Sequence, residues 1–468
     1  MNKGDVIELK IEDMTEDGKG IGKFNSLAIF ASNAVIGDFV KAEIIKLKKR
    51  YAIARLIEVL KPSSDRINPS CEYFGICGGC SLLNLRYEKQ VELKRNMVKE
   101  KLARLAEITG PVVREVIAAE QPAGYRNKAR YSIGSNGEVG FYKRNSSEVI
   151  DCKTCQLQNE ASIKVANCIR GLIKEGVINY KKGEASSLRA FTVKACKGSG
   201  EVMVILEIIG KELDNAEEIV YAIEDSLIDS AGYKLKSVAL ALVSKNGKRS
   251  EIDKLKIVAG RDTIIDEVTF KDEKNLKFEI SPASFYQINT LQMIALYEKA
   301  EEYANLRGDE ILLDIYCGTG TIGLSMADKA GFVLGIESVK DAILNANRNA
   351  SINGIINAIY YHGKAENCLD KAIEKLEGIL NKDVSNIPKV AIIDPPRAGA
   401  DEKLLEMLAK IKPDRIVYIS CDAGTLARDI KYLELNGYDF IEATPVEMFP
   451  NTMSIESVSL LSLSQRQA

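Results

Sequence analysis

Cys421 stands where an apolar run, RIVYIS, gives way to the small polar turn CDAGT. The spacing predicts a strand ending at Ser420 and a helix starting near Thr425, with Thr425 as its cap. A thiol at a helix N-terminus is favoured as thiolate, so Cys421 reads as a nucleophile. Two carboxylates occupy matching places: Glu337 closes FVLGIE, and Asp394 closes KVAIID ahead of Pro395-Pro396-Arg397. Upstream, EILLDIYCGTGTIGLSMA carries Gly318-x-Gly320-x-x-Gly323 between a strand and a helix. In open α/β sheets, ligands gather at the carboxyl ends of strands, where all these residues fall. The glycine turn, with Glu337 placed to bond both ribose hydroxyls, suits either a nicotinamide dinucleotide or adenosylmethionine. DPPR, the strand-end cysteine and a closing hairpin (YDFIEATPVEMFP, then ESVSLLSL) favour adenosylmethionine.

A second group of thiols lies far upstream. Cys71-x5-Cys77-Gly-Gly-Cys80 is joined, after a basic stretch, by Cys152 and Cys155. The spacing points to a metal centre. Zinc would use two CxxC pairs, Cys77/Cys80 and Cys152/Cys155. An iron–sulfur cluster would use Cys71, Cys77, Cys80 and one distant cysteine. Spacing alone leaves both open. Disulfides are disfavoured because the N-terminal sequence is unlike an export signal, which also suggests a cytoplasmic protein.

These groups need elements to position them. The 468 residues imply several domains, and 46% apolar with 28% charged residues is a globular composition. A single histidine, His362, removes His-rich metal sites and leaves no serine–histidine triad in view. No apolar run reaches the ~20 residues of a membrane span. Residues 1–60 alternate in short strands around Gly18, Gly20 and Gly22, as in a small OB-like barrel, with Lys46, Lys48, Lys49 and Arg50 beside Tyr51 as a contact edge. Net charge is only −2, yet residues 81–144 hold 13 basic and 7 acidic residues. Arg126, Lys128 and Arg130 alternate beside Tyr125 and Tyr131. On a strand, the three bases would share one face for RNA. Cys168, Cys196, Cys317 and Cys368 read as core residues.

Nearly the whole chain resembles the uracil-5 methyltransferases of ribosomal and transfer RNA. That resemblance implies a class I methyltransferase, Rossmann-like α/β sheet (271–468). Before it come a TRAM/OB-like β-barrel for RNA (1–61) and a mixed α+β central domain with a cysteine cluster (62–270). It implies a [4Fe-4S] cluster on Cys71, Cys77, Cys80 and Cys155, the last chosen over Cys152 from IDCKTCQLQN, with a folding role. From SPASFYQIN it implies Phe285 against a flipped base and Gln287 on S-adenosylmethionine, held also by Tyr316, Gly318, Glu337 and Asp394. Cys421 would attack the base and Glu456, in FPNTMSIESVSLL, would be the general base. The sequence departs from many members at Ser454, where histidine is usual, and at Ala423, where proline is common. The expected partner is RNA, a loop or bulge of large-subunit (23S) rRNA, with transfer RNA as the alternative. A non-enzymatic RNA-binding iron–sulfur protein is a remoter one. No obligate protein partner is implied, and the chain is expected to be a monomer.

Overall fold

The computed structural model describes residues 1–181, 184, 186–243 and 252–464, with backbone alone at 252 and 253. Five strands come first: β1 (Val6–Met14), β2 (Gly20–Phe24), β3 (Leu27–Ser32), β4 (Phe39–Leu47) and β5 (Tyr51–Lys61). They close into a barrel in the order β1-β2-β3-β5-β4. Alternation sends Ile7, Leu9 and Ile11 inward onto Ile29, Val40 and Ile44. Gly22 is required by a close approach: a Cβ there would sit 2.4 Å from the Lys10 carbonyl oxygen. The barrel is fastened to the segment after β5 by Asp38, fully buried, which accepts from Arg66 Nε at 3.0 Å and from the Ser63 amide at 3.0 Å.

Helix α1 (Tyr87–Leu105) buries Gln90, Lys94, Val98 and Leu102, one stripe at four-residue spacing. Two of those four are polar, which sequence periodicity does not foresee. Strands β6 (Lys128–Ile133), β7 (Val139–Tyr142), β8 (Val149–Asp151), β9 (Ser187–Ala195), β10 (Glu201–Ile209), β11 (Lys234–Val243) and β12 (Ile252–Gly260) form a second sheet, ordered β12-β11-β10-β9-β6-β7-β8. Helices α2 (Glu160–Lys174) and α3 (Ala216–Ser226) supply apolar side chains to its core on one face, with Val202 and Val204. Met203 and Ile205 join a different core, shared with the hairpin β13 (Ile264–Thr269) and β14 (Asn275–Ile280). Burial on both faces explains the unbroken apolar run in β10.

The last unit is an α/β sheet. Its elements are α4 (Thr290–Ala304), β15 (Ile311–Ile315), α5 (Thr321–Ser325), β16 (Phe332–Glu337), α6 (Lys340–Ile352), β17 (Ala358–His362) and α7 (Ala365–Leu380). After these come β18 (Lys389–Ile393), α8 (Glu402–Ile411), β19 (Arg415–Ser420), α9 (Ala423–Leu435), β20 (Tyr438–Val446) and β21 (Glu456–Leu463). The order is β17-β16-β15-β18-β19-β21-β20. Neighbours from β17 to β19 are parallel; β21 runs antiparallel between β19 and β20. The order reverses between β15 and β18, the switch point where such sheets open a crevice. Val98 and Leu102 of α1 join Leu426, Ile430 and Leu433 of α9 in one core. Among the described residues no helix is long and apolar enough to cross a membrane.

Candidate active site

The loop after β15 is built for close approach. Tyr316, Gly318 and Gly320 all have positive φ (64°, 53° and 77°). A Cβ on Gly320 would lie 2.6 Å from Tyr360 Oη, so this residue is glycine for both backbone and space. A Cβ on Gly318 would meet nothing within 4 Å: that side of the loop faces open space. Glu337, at the end of β16, accepts from the Gly318 amide at 3.2 Å through one oxygen and from the Val339 amide at 2.8 Å through the other. Asp314 accepts from the Gly323 amide at 2.9 Å, while its other oxygen is buried without a partner. Burial, opposed by that amide, pushes Asp314 up to about 7, with Glu337 adding to the rise.

Beside this loop is a cleft of about 770 Å³ lined by Tyr316, Glu337, Lys364, Asp401 and Arg428 among others. That volume lies within the ~300–1,000 Å³ common for small-molecule sites. An open glycine edge, a strand-end carboxylate and an adjoining cleft fit adenosylmethionine. Gln287 and Asp394 are not among the cleft's lining residues. Gln287 is buried, its carbonyl accepting from Asn127 Nδ2 at 2.7 Å.

Cys421 follows β19 directly. The helix behind it starts at Ala423, two residues earlier than the sequence suggests, and the cap is Asp422, whose Oδ1 accepts from the Gly424 and Thr425 amides at 2.9 Å each. Thr425 is therefore not the cap. The expected lowering of the thiol pKa is also reversed. Burial, then Glu456, push Cys421 up to about 11; Asp394 adds to this and Arg397 opposes it. Glu456 opens β21 and is 6% exposed. Burial, then Asp394, hold its carboxyl well above the usual range, again opposed by Arg397. Asp394 follows β18, pushed up to about 7 by burial and then Asp314. Four groups thus sense one another at the ends of β18, β19 and β21. Arg397 closes the DPPR motif, but nothing in the sequence marks it as the counter-charge of both Cys421 and Glu456.

The RNA-facing expectations divide. Phe285 is 67% exposed, a large aromatic ring in solvent. Arg126 precedes β6 and lies over the Tyr125 ring at 5.9 Å, so only Lys128 and Arg130 share a strand. Arg130 is engaged: its Nε and Nη2 donate to the two carboxylate oxygens of Glu207 at 2.7 and 2.6 Å. Ser454, in place of the usual histidine, donates its amide to Thr452 Oγ1 at 3.3 Å.

The metal expectation is corrected. Cys71, Cys77, Cys80, Cys152 and Cys155 line one hollow of about 830 Å³. Facing a hollow is not convergence on a point. Among the described residues, no group of three or more His, Cys, Asp or Glu side chains is placed to hold a metal ion. Burial pushes the Cys80 thiol up to about 12, with Cys155 and Cys77 adding, and raises Cys77 and Cys155 as well. Cys152 donates its S–H to the Thr154 carbonyl at 2.9 Å. The [4Fe-4S] assignment to Cys71, Cys77, Cys80 and Cys155 therefore does not stand, and no defined cysteine cluster interrupts the fold; all ten cysteines are unpaired.

Comparison with known proteins agrees with the fold. Residues 86–464 match the family model described as tRNA (Uracil-5-)-methyltransferase, and residues 2–57 match the TRAM domain. An uncharacterised RNA methyltransferase of Caldanaerobacter subterraneus is 38% identical, over 98% of this chain and 99% of its own. One of Halalkalibacterium halodurans is 37% identical, over 99% and 98%. The solved tRNA (uracil-54, C5)-methyltransferase of Pyrococcus abyssi, in complex with S-adenosyl-L-homocysteine, is similar with a TM-score of 0.75 and 26% identity, covering 97% of this chain and 99% of that one. The chain belongs to the family of S-adenosylmethionine-dependent RNA (uracil-5-)-methyltransferases.

Proposed function

We propose that Cys421 is the nucleophile and Glu456 the base with which this chain methylates C5 of a uridine in RNA. The observation that carries the reading is the pairing of β19 with β21, where Ser420 stands opposite Ser457. One step further along both strands brings Cys421 against Glu456. Uracil C5 is a poor nucleophile. Addition of the Cys421 thiolate to C6 makes C5 enolate-like. Bound adenosylmethionine supplies an electrophilic methyl on a cationic sulfonium. The C5–methyl bond forms as the sulfonium–methyl bond breaks. Glu456 takes the C5 proton, the Cys421–C6 bond breaks, and the thiolate returns.

With Cys421 near 11, only roughly 10⁻⁴ of it is ionised at pH 7. The site must therefore drive ionisation, and Arg397 is the residue that favours it. Asp394 lies beside the reacting pair and is suited to orient the base edge. Phe285 offers an exposed ring for a base taken out of its stack, which costs least in a loop or bulge. The family description and the solved relative support transfer RNA as the substrate over the large-subunit rRNA expected from the sequence.

Cys421→Ala is expected to abolish turnover and the covalent adduct with 5-fluorouridine RNA. An adduct persisting in that variant would overturn the nucleophile. Mapping 5-methyluridine in tRNA and rRNA from a gene-deleted strain assigns the target. Loss from rRNA alone would overturn the tRNA reading.

A further inference from the structure

Glu456 is reached through the segment 447–455, which joins β20 to β21. Four successive carbonyls in this segment are taken by donors from other parts of the chain. Met448 O accepts from Asn289 Nδ2 at 3.2 Å, Phe449 O from Lys94 Nζ at 3.1 Å, Pro450 O from Tyr125 Oη at 3.1 Å, and Asn451 O from the Ser81 and Leu82 amides at 3.1 Å. Asn451, at φ 67°, also donates its amide to Gln90 Oε1 at 3.0 Å and its side-chain nitrogen to the Pro122 carbonyl at 3.0 Å.

The strongest hold is Lys94. Its ammonium meets both oxygens of Glu447 at 2.6 and 2.7 Å, and both side chains are fully buried. A buried ion pair is weak support for stability, because desolvation offsets the attraction. Its geometry is nevertheless exacting. Here it fixes the start of a loop whose other end is the base.

We infer that Lys94 and Glu447, with Gln90 on Asn451, are positioning residues that set Glu456 against the reacting C5 proton, so that helix α1 governs the proton-removal step. The inference rests on Glu456 being the base. It assigns these side chains no contact with RNA or cofactor.

Loss of position at the base should slow proton removal while leaving addition and methyl transfer in place. The expected signature is methylated RNA held covalently on Cys421 with ordinary uridine substrate. The informative variant is Lys94→Met with Glu447→Leu, because apolar replacement of both partners leaves no buried charge unpaired. Its turnover is expected to fall about 10²-fold, as for misplacements near 1 Å, with denaturant-stable methylated adduct accumulating. Gln90→Met, which keeps the ion pair, should show the same signature more weakly and carries the test alone if the double variant does not fold. A folded double variant that turns over at the native rate without adduct overturns the inference. So does lowered thermal stability with a native ratio of adduct to product, which marks a merely structural role. Glu456→Gln, run alongside, must accumulate the adduct. If it does not, the base assignment itself fails, and with it this inference.

Discussion

Cys421 and Glu456 are the next residues beyond Ser420 and Ser457, the last matched pair of antiparallel β19 and β21, and Glu456 lies near enough to raise the Cys421 thiol. Val446 of β20 flanks Glu456 on the other side. Cys421 directly follows β19 and Glu456 opens β21, so the ladder between these strands fixes the backbone next to each of the two residues proposed as nucleophile and base. Glu456 raises the free energy of the Cys421 thiolate.

Cys421 reactivity should report that effect. Replacing Arg397 with Met removes a cation that favours the thiolate, and alkylation by iodoacetamide is expected to slow. Glu456→Gln removes an acidic neighbour and should speed it. A shift of one pKa unit changes the thiolate fraction about tenfold, so changes on the order of three- to tenfold are expected. Mass spectrometry of the Cys421 peptide over time measures both, and opposite signs would refute the electrostatic assignment.

Asp394 gives a stability prediction with a definite sign. Its carboxyl moves from 3.8 to about 7 on folding. Between those values the folded chain binds a proton that the unfolded chain does not. The contribution to stability is therefore complete below about pH 4 and is lost as pH rises through 7. Asp314 behaves alike. Asp394→Asn should raise the melting temperature relative to the native chain at pH 8 more than at pH 4, while methylation falls. Melting curves across that range test it; an equal shift at both pH values would count against it.

Phe285 is exposed, so its removal should cost little in folding. A base stacked on an aromatic ring contributes about 1–3 kcal/mol. Phe285→Ala is expected to keep the native melting temperature while RNA methylation falls by one to two orders of magnitude, on the order of that energy. Native methylation kinetics would show that the ring does not touch RNA.

Arg130 carries the opposite expectation. It is held by Glu207, so Arg130→Ala should destabilise the second sheet and leave the salt dependence of RNA binding unchanged. A phosphate-contacting arginine would instead lower that slope by about 1. Affinity measured at several salt concentrations separates the two.

Much of this was legible in the sequence where local pattern and tertiary role agree. The barrel strands alternate, β10 is apolar on both faces, and Tyr316 after β15 and Glu337 at the end of β16 line the cleft, whereas Asp394 and Cys421 do not. The failures share a cause. Thiol spacing suggested a metal cluster, but spacing cannot say whether sulfurs sharing a hollow converge on one point. A helix N-terminus behind Cys421 suggested a low pKa, but burial, Glu456 and Asp394 push the thiol up, and none of these is marked by the local sequence. Arg130 alternated correctly, yet its partner Glu207 lies on β10, a strand that β6 does not adjoin. Lys94 and Glu447 are 353 residues apart, and nothing local marks either as paired.

The insertion of β21 between β19 and β20 has a consequence for biogenesis. During synthesis β19 and β20 leave the ribosome before the strand that separates them, so they must stay apart or part again to admit it. Glu456 is the first residue of that late strand. Until β21 docks, a nascent chain lacks the residue proposed to take the C5 proton. An engaged uridine would be held rather than turned over until β21 docks.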